Sequence, residues 1–287
     1  MIRAFLFDPF ALGFMRRALA GCLALSIAGP PLGVFLVLRR MSLMSDVLQH
    51  GILPGIAVGA LLGGVSVWAM GLGGFAAGLA VALLAGALAR ATNGREDSQL
   101  AGIYLIALAA GIAIISAQRG VDLTHLLFGS VLGVDDTALL LMAGAATIIL
   151  PALALLWRPL VIESFDPEFM RAVGGPGAVV HLAFLALVVL AVVSGFTALG
   201  TLMSVGLIML PAVAARHLAA TLSGQVGAAV ALAAGASVAG LLVSFHADVP
   251  AGPAIVLTAG AIWLALLVAG PRESLLRRLV RHAHYAG

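Results

Sequence analysis

Long apolar runs that could cross a lipid bilayer make up most of this chain, and they restrict its fold more than any other feature. Residues 18–38, 98–118 and 137–157 each form such a run without a charged side chain. About 20 apolar residues span the hydrocarbon core as a helix, in which the backbone polar groups bond within the segment. The chain is 62% hydrophobic and 9% charged, whereas soluble domains are about 25% charged. We therefore predict an all-α polytopic membrane protein that forms a single transmembrane domain over residues 1–287.

The apolar runs and the turns between them predict eight or nine transmembrane helices. The run at 51–89 is long enough for two helices with a turn at 63–66. The run at 172–215 is long enough for two helices hinged between 194 and 200. The sequence Gly-Pro-Pro at 29–31 predicts that the first helix is kinked or broken, because proline removes a backbone hydrogen bond.

Two more polar stretches predict structure other than a full crossing. Segment 119–136 mixes four acidic or histidine side chains with apolar residues, which favours an interfacial or re-entrant stretch. Segment 158–171 is predicted to be a polar loop. Within it, Asp166 could cap a short helix that has Pro167 at its first position.

The arginines are predicted to mark the cytoplasmic side of the membrane. All 15 basic residues are arginines, with clusters at 39–40, 90–95, 158–171, 216 and in the tail after 271. Alternating crossings place these clusters on one side, which the positive-inside rule assigns to the cytoplasm. The N-terminus is then outside if there are nine helices. Because the arginines are scattered over short loops, we predict no nucleic-acid partner. A chain without lysine also lacks the P-loop motif of ATPases.

An aspartate and a histidine at the start of the second apolar run form the candidate functional site. Asp46 and His50 are four residues apart, so a helix would place both on one face. Ionisable groups in a membrane segment are costly and by default indicate an ion or ligand path. Carboxylate and imidazole together suit zinc, manganese or iron. Two ligands hold a metal poorly, so we predict that two copies meet at a dimer axis. An internal ion pair or a helix cap at the membrane edge is the alternative.

Glycines recur every four residues directly after this pair, at 51, 55, 59 and 63. Small residues on one ridge let another helix backbone approach closely. We expect this ridge to pack tightly while the neighbouring face with Asp46 and His50 looks into a pathway.

The other histidines have simpler explanations. His181 is alone in an apolar run and is predicted to make an interhelical hydrogen bond. His217 is expected to mark a cytoplasmic helix end. The remaining ones are predicted to be solvated loop or tail residues, with a secondary option of assisting metal capture: His125, His246 with Asp248, His282 and His284.

The pattern R-R-M-S-L-M-S-D-x-L-x-H-x-x-L-P-G at 39–55 closely resembles permease subunits of bacterial zinc/manganese/iron ABC importers. Further blocks of the same family follow in order at 95–97, 164–168, 200–212 and 248–253. The resemblance implies the type II ABC permease bundle also used by cobalamin importers, in the bacterial cytoplasmic (inner) membrane. It also implies that Asp46 and His50 line the metal path.

The same resemblance implies a set of partners. These are a second copy of the chain, two separate ATPase subunits that bind ATP, and an extracytoplasmic metal-binding protein. The permease itself would have no cofactor and no enzymatic activity. The ATPase-coupling segment is expected at 216–225, with 165–171 as the second candidate.

Zinc is the expected cargo, followed by manganese or iron, because the usual affinity order of divalent metals favours zinc over manganese. Uptake should weaken at low pH, since metal ligands must be deprotonated. One alternative function is a proton-coupled secondary metal carrier, and another is an ABC permease for a metal chelate or cobalamin. An intramembrane metalloenzyme is disfavoured because the H-E-x-x-H motif is missing from the sequence and no second histidine lies at metal spacing in a predicted span.

Overall fold

The regular elements in the computed structural model are helices, as predicted. The structure describes residues 8–42, 44–64, 66–92, 96–116 and 131–277. In chain order the helices are α1 (Gly13–Leu38), α2 (Met44–Gly51), α3 (Leu53–Gly63), α4 (Val67–Thr92), α5 (Glu96–Ser116), α6 (Asp136–Phe165), α7 (Pro167–Ala172), α8 (Gly177–Leu199), α9 (Thr201–Ala215), α10 (Leu222–Ala247) and α11 (Ala251–Ala269). Short 3₁₀ turns occur at Pro9–Ala11 and Val131–Gly133.

Within these described ranges, seven helical segments are long and apolar enough to cross a membrane. One of them, Met44–Gly63, consists of α2 and α3 in succession. Two shorter apolar helices, Gly102–Ser116 within α5 and Thr201–Ala215, complete the bundle. The prediction of eight or nine helices agrees with this set. The turns predicted at 63–66 and near 200 are also confirmed, and Gly64 and Gly200 provide the positive φ angles that they require.

The first helix is the centre of the bundle and differs from the prediction. It packs against α6, α8, α9 and α10. Of the two forms predicted for it, the broken one is wrong, because α1 continues through Pro30 and Pro31. Both prolines are buried, and backbone groups freed by proline are tolerated where neighbouring helices surround them. A side chain on Gly33 would overlap the carbonyl of Ile208, so α9 is in backbone contact with α1.

The stretch at 158–171 is only partly the loop that was predicted. Helix α6 continues to Phe165 and contains Pro151 and Pro159. The predicted cap after it is confirmed: the backbone N–H of Phe169 donates to Oδ1 of Asp166 at 2.8 Å, and Pro167 is the first residue of α7. The Asn-Gly sequence at 93–94 predicts a loop over 90–97, but residues 90–92 belong to α4 and 96–97 to α5, and only the middle of this stretch, 93–95, is outside the described residues. The interfacial stretch up to residue 130 and the tail from 278 also lie outside the described residues.

Side-chain contacts group the charged helix ends on two opposite sides of the bundle. Arg39 at the end of α1 donates from Nε to Ser164 Oγ at 3.0 Å, near the end of α6. Arg216 pairs loosely with Glu273 at 3.9 Å after α11. At the opposite end of α1, Arg17 pairs with Asp136 at 3.0 Å, at the start of α6. The arginine clusters at the ends of α1, α6, α9 and α11 therefore agree with the predicted cytoplasmic side.

The glycine ridge after residue 50 lets α3 and α4 touch through their backbones, as predicted. A methyl group on Gly55 would overlap the carbonyl of Gly73, and one on Gly73 would overlap the carbonyl of Gly55. Gly59 has the same relation to the carbonyl of Ala69. This contact holds the α2–α3 segment against α4.

Gly55→Ala should therefore destabilise the protein by about 1–3 kcal/mol, the usual cost of overpacking. The matched control is Gly144→Ala in α6, where a methyl group would meet nothing within 4 Å. That change should be neutral or slightly stabilising, because alanine is the better helix former by about 1 kcal/mol. Thermal unfolding in detergent measures both, and equal stability of the two variants would contradict the close contact.

Candidate metal site

Helix α2 carries a polar stripe that contains both predicted metal ligands. Ser45, Asp46, Gln49 and His50 occupy one side of the helix, because residues three and four apart are neighbours on its surface. Met44 and Leu48 are buried on other parts of the surface and belong to the hydrophobic core. The helix packs against α4, α5, α8 and α9. The prediction that Asp46 and His50 share a helical face is confirmed.

Within the stripe, Gln49 is the residue in contact with the Asp46 carboxylate. The Gln49 side chain donates from Nε2 to Oδ1 of Asp46 at 2.7 Å. Gln49 is buried, with 6% of its surface exposed, whereas Asp46 is exposed on the isolated chain. His50 is half-buried, and its ring lies 6.1 Å from the ring of Tyr104 on α5. Sequence reasoning gave Gln49 no role, although its position three residues after Asp46 was a usable signal.

Three buried polar atoms of α2 have no hydrogen-bond partner in the described part of the chain. They are Ser45 Oγ, Gln49 Oε1 and His50 Nδ1. Buried polar atoms are nearly always hydrogen-bonded, and exceptions commonly mark functional sites or an ion or water that would complete them. The imidazole of a metal-binding histidine uses one ring nitrogen for the metal. The unpartnered Nδ1 of His50 is therefore compatible with a ligand role.

The His50 end of the stripe lies about halfway along the neighbouring helices. A methyl group on Gly51 would lie 3.3 Å from Val81, and one on Gly78 would lie 2.8 Å from Ile52 and 2.7 Å from Val189. Gly78 and Val81 are near the midpoint of α4, and Val189 is near the midpoint of α8. The end of α2 that carries His50 is thus at mid-height of the bundle.

One chain does not supply a complete metal-binding set among its described residues. There, no group of three or more histidine, cysteine, aspartate and glutamate side chains could hold a metal ion. The Asp46 carboxylate is nevertheless exposed on the isolated chain, about one helical turn before His50. Within a helical segment that is long and apolar enough to cross a membrane, an exposed charge is unfavourable unless another polar surface or water covers it.

The interhelical hydrogen bond predicted for His181 is confirmed. Nη1 of Arg39 and Nδ1 of His181 are 2.9 Å apart. Because a guanidinium only donates, Nδ1 must accept and His181 carries no proton on that nitrogen. The guanidinium carbon also lies 5.1 Å from the centre of the Phe184 ring. His181 is therefore part of a contact between α1 and α8 and not of the α2 site.

The other predicted histidines are spread over the molecule. His217 directly follows α9, and its Nδ1 is 3.2 Å from the carbonyl oxygen of Arg272, so it marks a helix end as predicted. His246 and Asp248 are both exposed at the opposite end of α10. His125, His282 and His284 lie outside the described residues.

The chain matches a family model and proteins of known name along most of its length. The model described as the ABC 3 transport family matches residues 11–270. The manganese import system permease protein ScaB of Streptococcus gordonii is 30% identical, with 98% of this chain and 100% of that protein covered. The chelated iron transport system membrane protein YfeD of Yersinia pestis is 28% identical, with 93% and 89% covered.

Two solved structures share the fold. A chain of PsaBC from Streptococcus pneumoniae, solved in complex with Fab, has a TM-score of 0.84 at 30% identity and covers 96% of this chain and 99% of its own. An inward-facing metal-chelate type ABC transporter has a TM-score of 0.69 at 16% identity, with 88% and 84% covered. The second likeness supports the fold alone. The predicted fold class and family resemblance are confirmed.

Arg39→Met should cost about 1.5–3 kcal/mol of stability, the contribution of hydrogen bonds to a charged group, because it removes contacts to Ser164 and His181. Arg17→Met is the control. Both side chains of the Arg17–Asp136 ion pair are exposed, and such pairs contribute about 0–1 kcal/mol to stability. Thermal unfolding of both variants in the same detergent tests this. A larger effect from Arg17→Met would show that the Arg39 contacts do not hold the helices together.

Proposed function

Because the chain belongs to the ABC 3 transport family, we propose that Asp46 and His50 of two copies form the path of a divalent transition metal ion. The chain is an integral inner-membrane protein and a permease subunit of an ABC metal importer. What we propose beyond this concerns the ligands, the assembly and the metal.

The exposed Asp46 carboxylate, one helical turn from His50 within a segment that can cross the membrane, is the observation on which the proposal rests. A second copy that places its own α2 opposite would cover this carboxylate with polar groups. Two carboxylates and two imidazoles would then surround one ion on the dimer axis. A divalent cation also offsets the charge of both carboxylates, which would otherwise repel each other in a medium of low dielectric constant.

Manganese or ferrous iron is the cargo that we propose, in that order. The affinity order alone favours zinc, but ScaB is named for manganese import and YfeD for chelated iron transport. Carboxylate oxygens suit manganese, and imidazole suits iron. A mixed set of two carboxylates and two imidazoles is compatible with either metal.

The proposed partners follow from the family. ATP hydrolysis is assigned to two separate ATPase subunits, and metal delivery to an extracytoplasmic binding protein. Helix α7 and the segment at 216–225 lie on the arginine-rich side of the bundle and are the candidate contacts to the ATPases. Binding and hydrolysis of ATP would alternate two conformations of the permease, and transport has a direction only if their metal affinities differ.

Asp46→Asn and His50→Ala should each lower ATP-driven Mn²⁺ uptake by more than about tenfold, since even residues that only support a metal ligand contribute this much. The measurement uses the complete complex of permease, ATPase and binding protein in proteoliposomes. Asp136→Asn is the matched control, because this aspartate is exposed and pairs only with Arg17 among the described contacts. Normal uptake by Asp46→Asn would overturn the proposal.

Competition in the same proteoliposomes tests the metal. Mn²⁺ uptake should be inhibited by Fe²⁺ at lower concentrations than by Ca²⁺ or Mg²⁺, because an imidazole-containing site disfavours hard cations. Transport of Zn²⁺ in preference to Mn²⁺ would reverse the proposed order. Uptake by the permease without its ATPase would instead support a secondary carrier.

A further inference from the structure

We propose that Gln49 is a positioning residue that fixes the Asp46 carboxylate for the metal and is retained for transport at a cost to stability. This inference rests on the proposed role of Asp46 and adds to it a residue that does not itself contact the ion. It is carried by three observations: the contact to Asp46, the burial of the Gln49 side chain, and its unpartnered oxygen.

The contact determines which part of the carboxylate is available. Nε2 of Gln49 donates to Oδ1 of Asp46 at 2.7 Å, which is short for a nitrogen donor and typical of a charged acceptor. The amide cannot be reversed, since its oxygen would then face the carboxylate oxygen without a hydrogen atom between them. Oδ1 is held in this way, and Oδ2, which has no hydrogen bond among the described contacts, is left for the ion.

The burial of Gln49 makes the hydrogen bond more effective. The side chain is 6% exposed, so packing limits its rotamers. A hydrogen bond shielded from water is electrostatically stronger than an exposed one, so the bond from Gln49 can hold the carboxylate in one orientation. An amide can donate to the carboxylate without adding a charge. The dimeric site therefore retains two negative charges, one from the Asp46 of each copy.

The oxygen atom of the Gln49 amide, in contrast to its nitrogen, makes an unfavourable contribution to stability. Oε1 of Gln49 is buried and accepts no hydrogen bond in the described part of the chain. A buried acceptor without a partner costs stability, and an apolar side chain of similar shape would avoid that cost. A residue that only supported the fold would not be polar here, so the unsatisfied oxygen favours a functional reason for Gln49.

Residues that orient a metal ligand typically change metal affinity by about 10–100-fold when they are removed. Gln49→Met preserves the length of the side chain and removes both polar atoms. We expect the Mn²⁺ concentration for half-maximal uptake to rise at least about tenfold. The maximal rate should change much less, because Asp46 and His50 remain in place.

The deciding experiment measures transport and stability on the same purified complexes in proteoliposomes and detergent. Gln49→Met should raise the half-saturating Mn²⁺ concentration while its thermal unfolding midpoint stays equal to the wild type or increases. Ser237→Ala is the control for loss of a buried hydrogen bond, because it removes the contact to Ser26 between α1 and α10, far along the chain from α2. It should lower stability with an unchanged half-saturating concentration.

Two results would overturn the inference. One is a Gln49→Met complex with an unchanged half-saturating concentration. The other is a Gln49→Met complex in which both the thermal unfolding midpoint and the uptake fall, because this result would indicate that Gln49 has a structural role. Asp46→Asn in the same assay distinguishes the proposed role of Gln49 from the proposed metal path through Asp46 and His50. If Asp46→Asn transports normally, the metal path itself is wrong; if it fails while Gln49→Met transports normally, only the role of Gln49 is wrong.

Discussion

Polar groups of a protein inside a membrane have no water to bond to, so they must find hydrogen-bond partners within the protein. The rest of this structure depends on how this requirement is met. In most of the described bundle the polar side chains bond to other helices or to their own backbone. Ser26 and Ser237 lie 3.2 Å apart between α1 and α10, and Ser204 on α9 donates to the carbonyl of Val192 on α8. Such contacts satisfy groups that would otherwise each cost several kcal/mol in hydrocarbon. Helix α2 departs most from this pattern, since three of its buried polar atoms have no partner among the described residues and its Asp46 carboxylate is exposed.

Close backbone packing is what allows α2 to be at mid-height of the bundle. Glycines at 55 and 59 bring α3 into contact with the backbone of α4, and small residues are the usual means of such contacts in membranes. On the other side of α4, Gly78 admits Ile52 and Val189 at the same level. Among the described residues, the contacts that position the stripe are apolar and backbone contacts. Ser45 Oγ, Gln49 Oε1 and His50 Nδ1 have no partner there and are available for other bonds.

Much of the fold could be predicted because the bilayer fixes the length and the apolar character of each segment. Turns at Gly64 and Gly200, the cap at Asp166 and the glycine ridge are local features, and all were recognisable in the sequence. The errors came from tertiary context. The unbroken α1 depends on neighbours that surround Pro30 and Pro31, and the extension of α6 to Phe165 depends on packing at the cytoplasmic end. In the site, the shared face of Asp46 and His50 followed from helical spacing. The burial of the Gln49 amide did not follow from spacing, because it depends on helices that are distant in the sequence.

The contrast between Arg39 and Asp46 separates structural from functional charge in one chain. Both residues fall within the same sequence block and both bring a charge to the edge of an apolar helix. Arg39 has contacts to Ser164, His181 and Phe184 on two other helices of its own chain. Among the described contacts, Asp46 has one hydrogen bond, to a residue of its own helix, and it is exposed on the surface of that chain. A charge that bonds to other helices of its own chain can serve the fold, whereas a charge left exposed in a membrane-spanning segment requires a partner from outside the chain. A transported ion must also leave its site. A carboxylate with few bonds within its own chain therefore suits a transport path better than a complete coordination shell would.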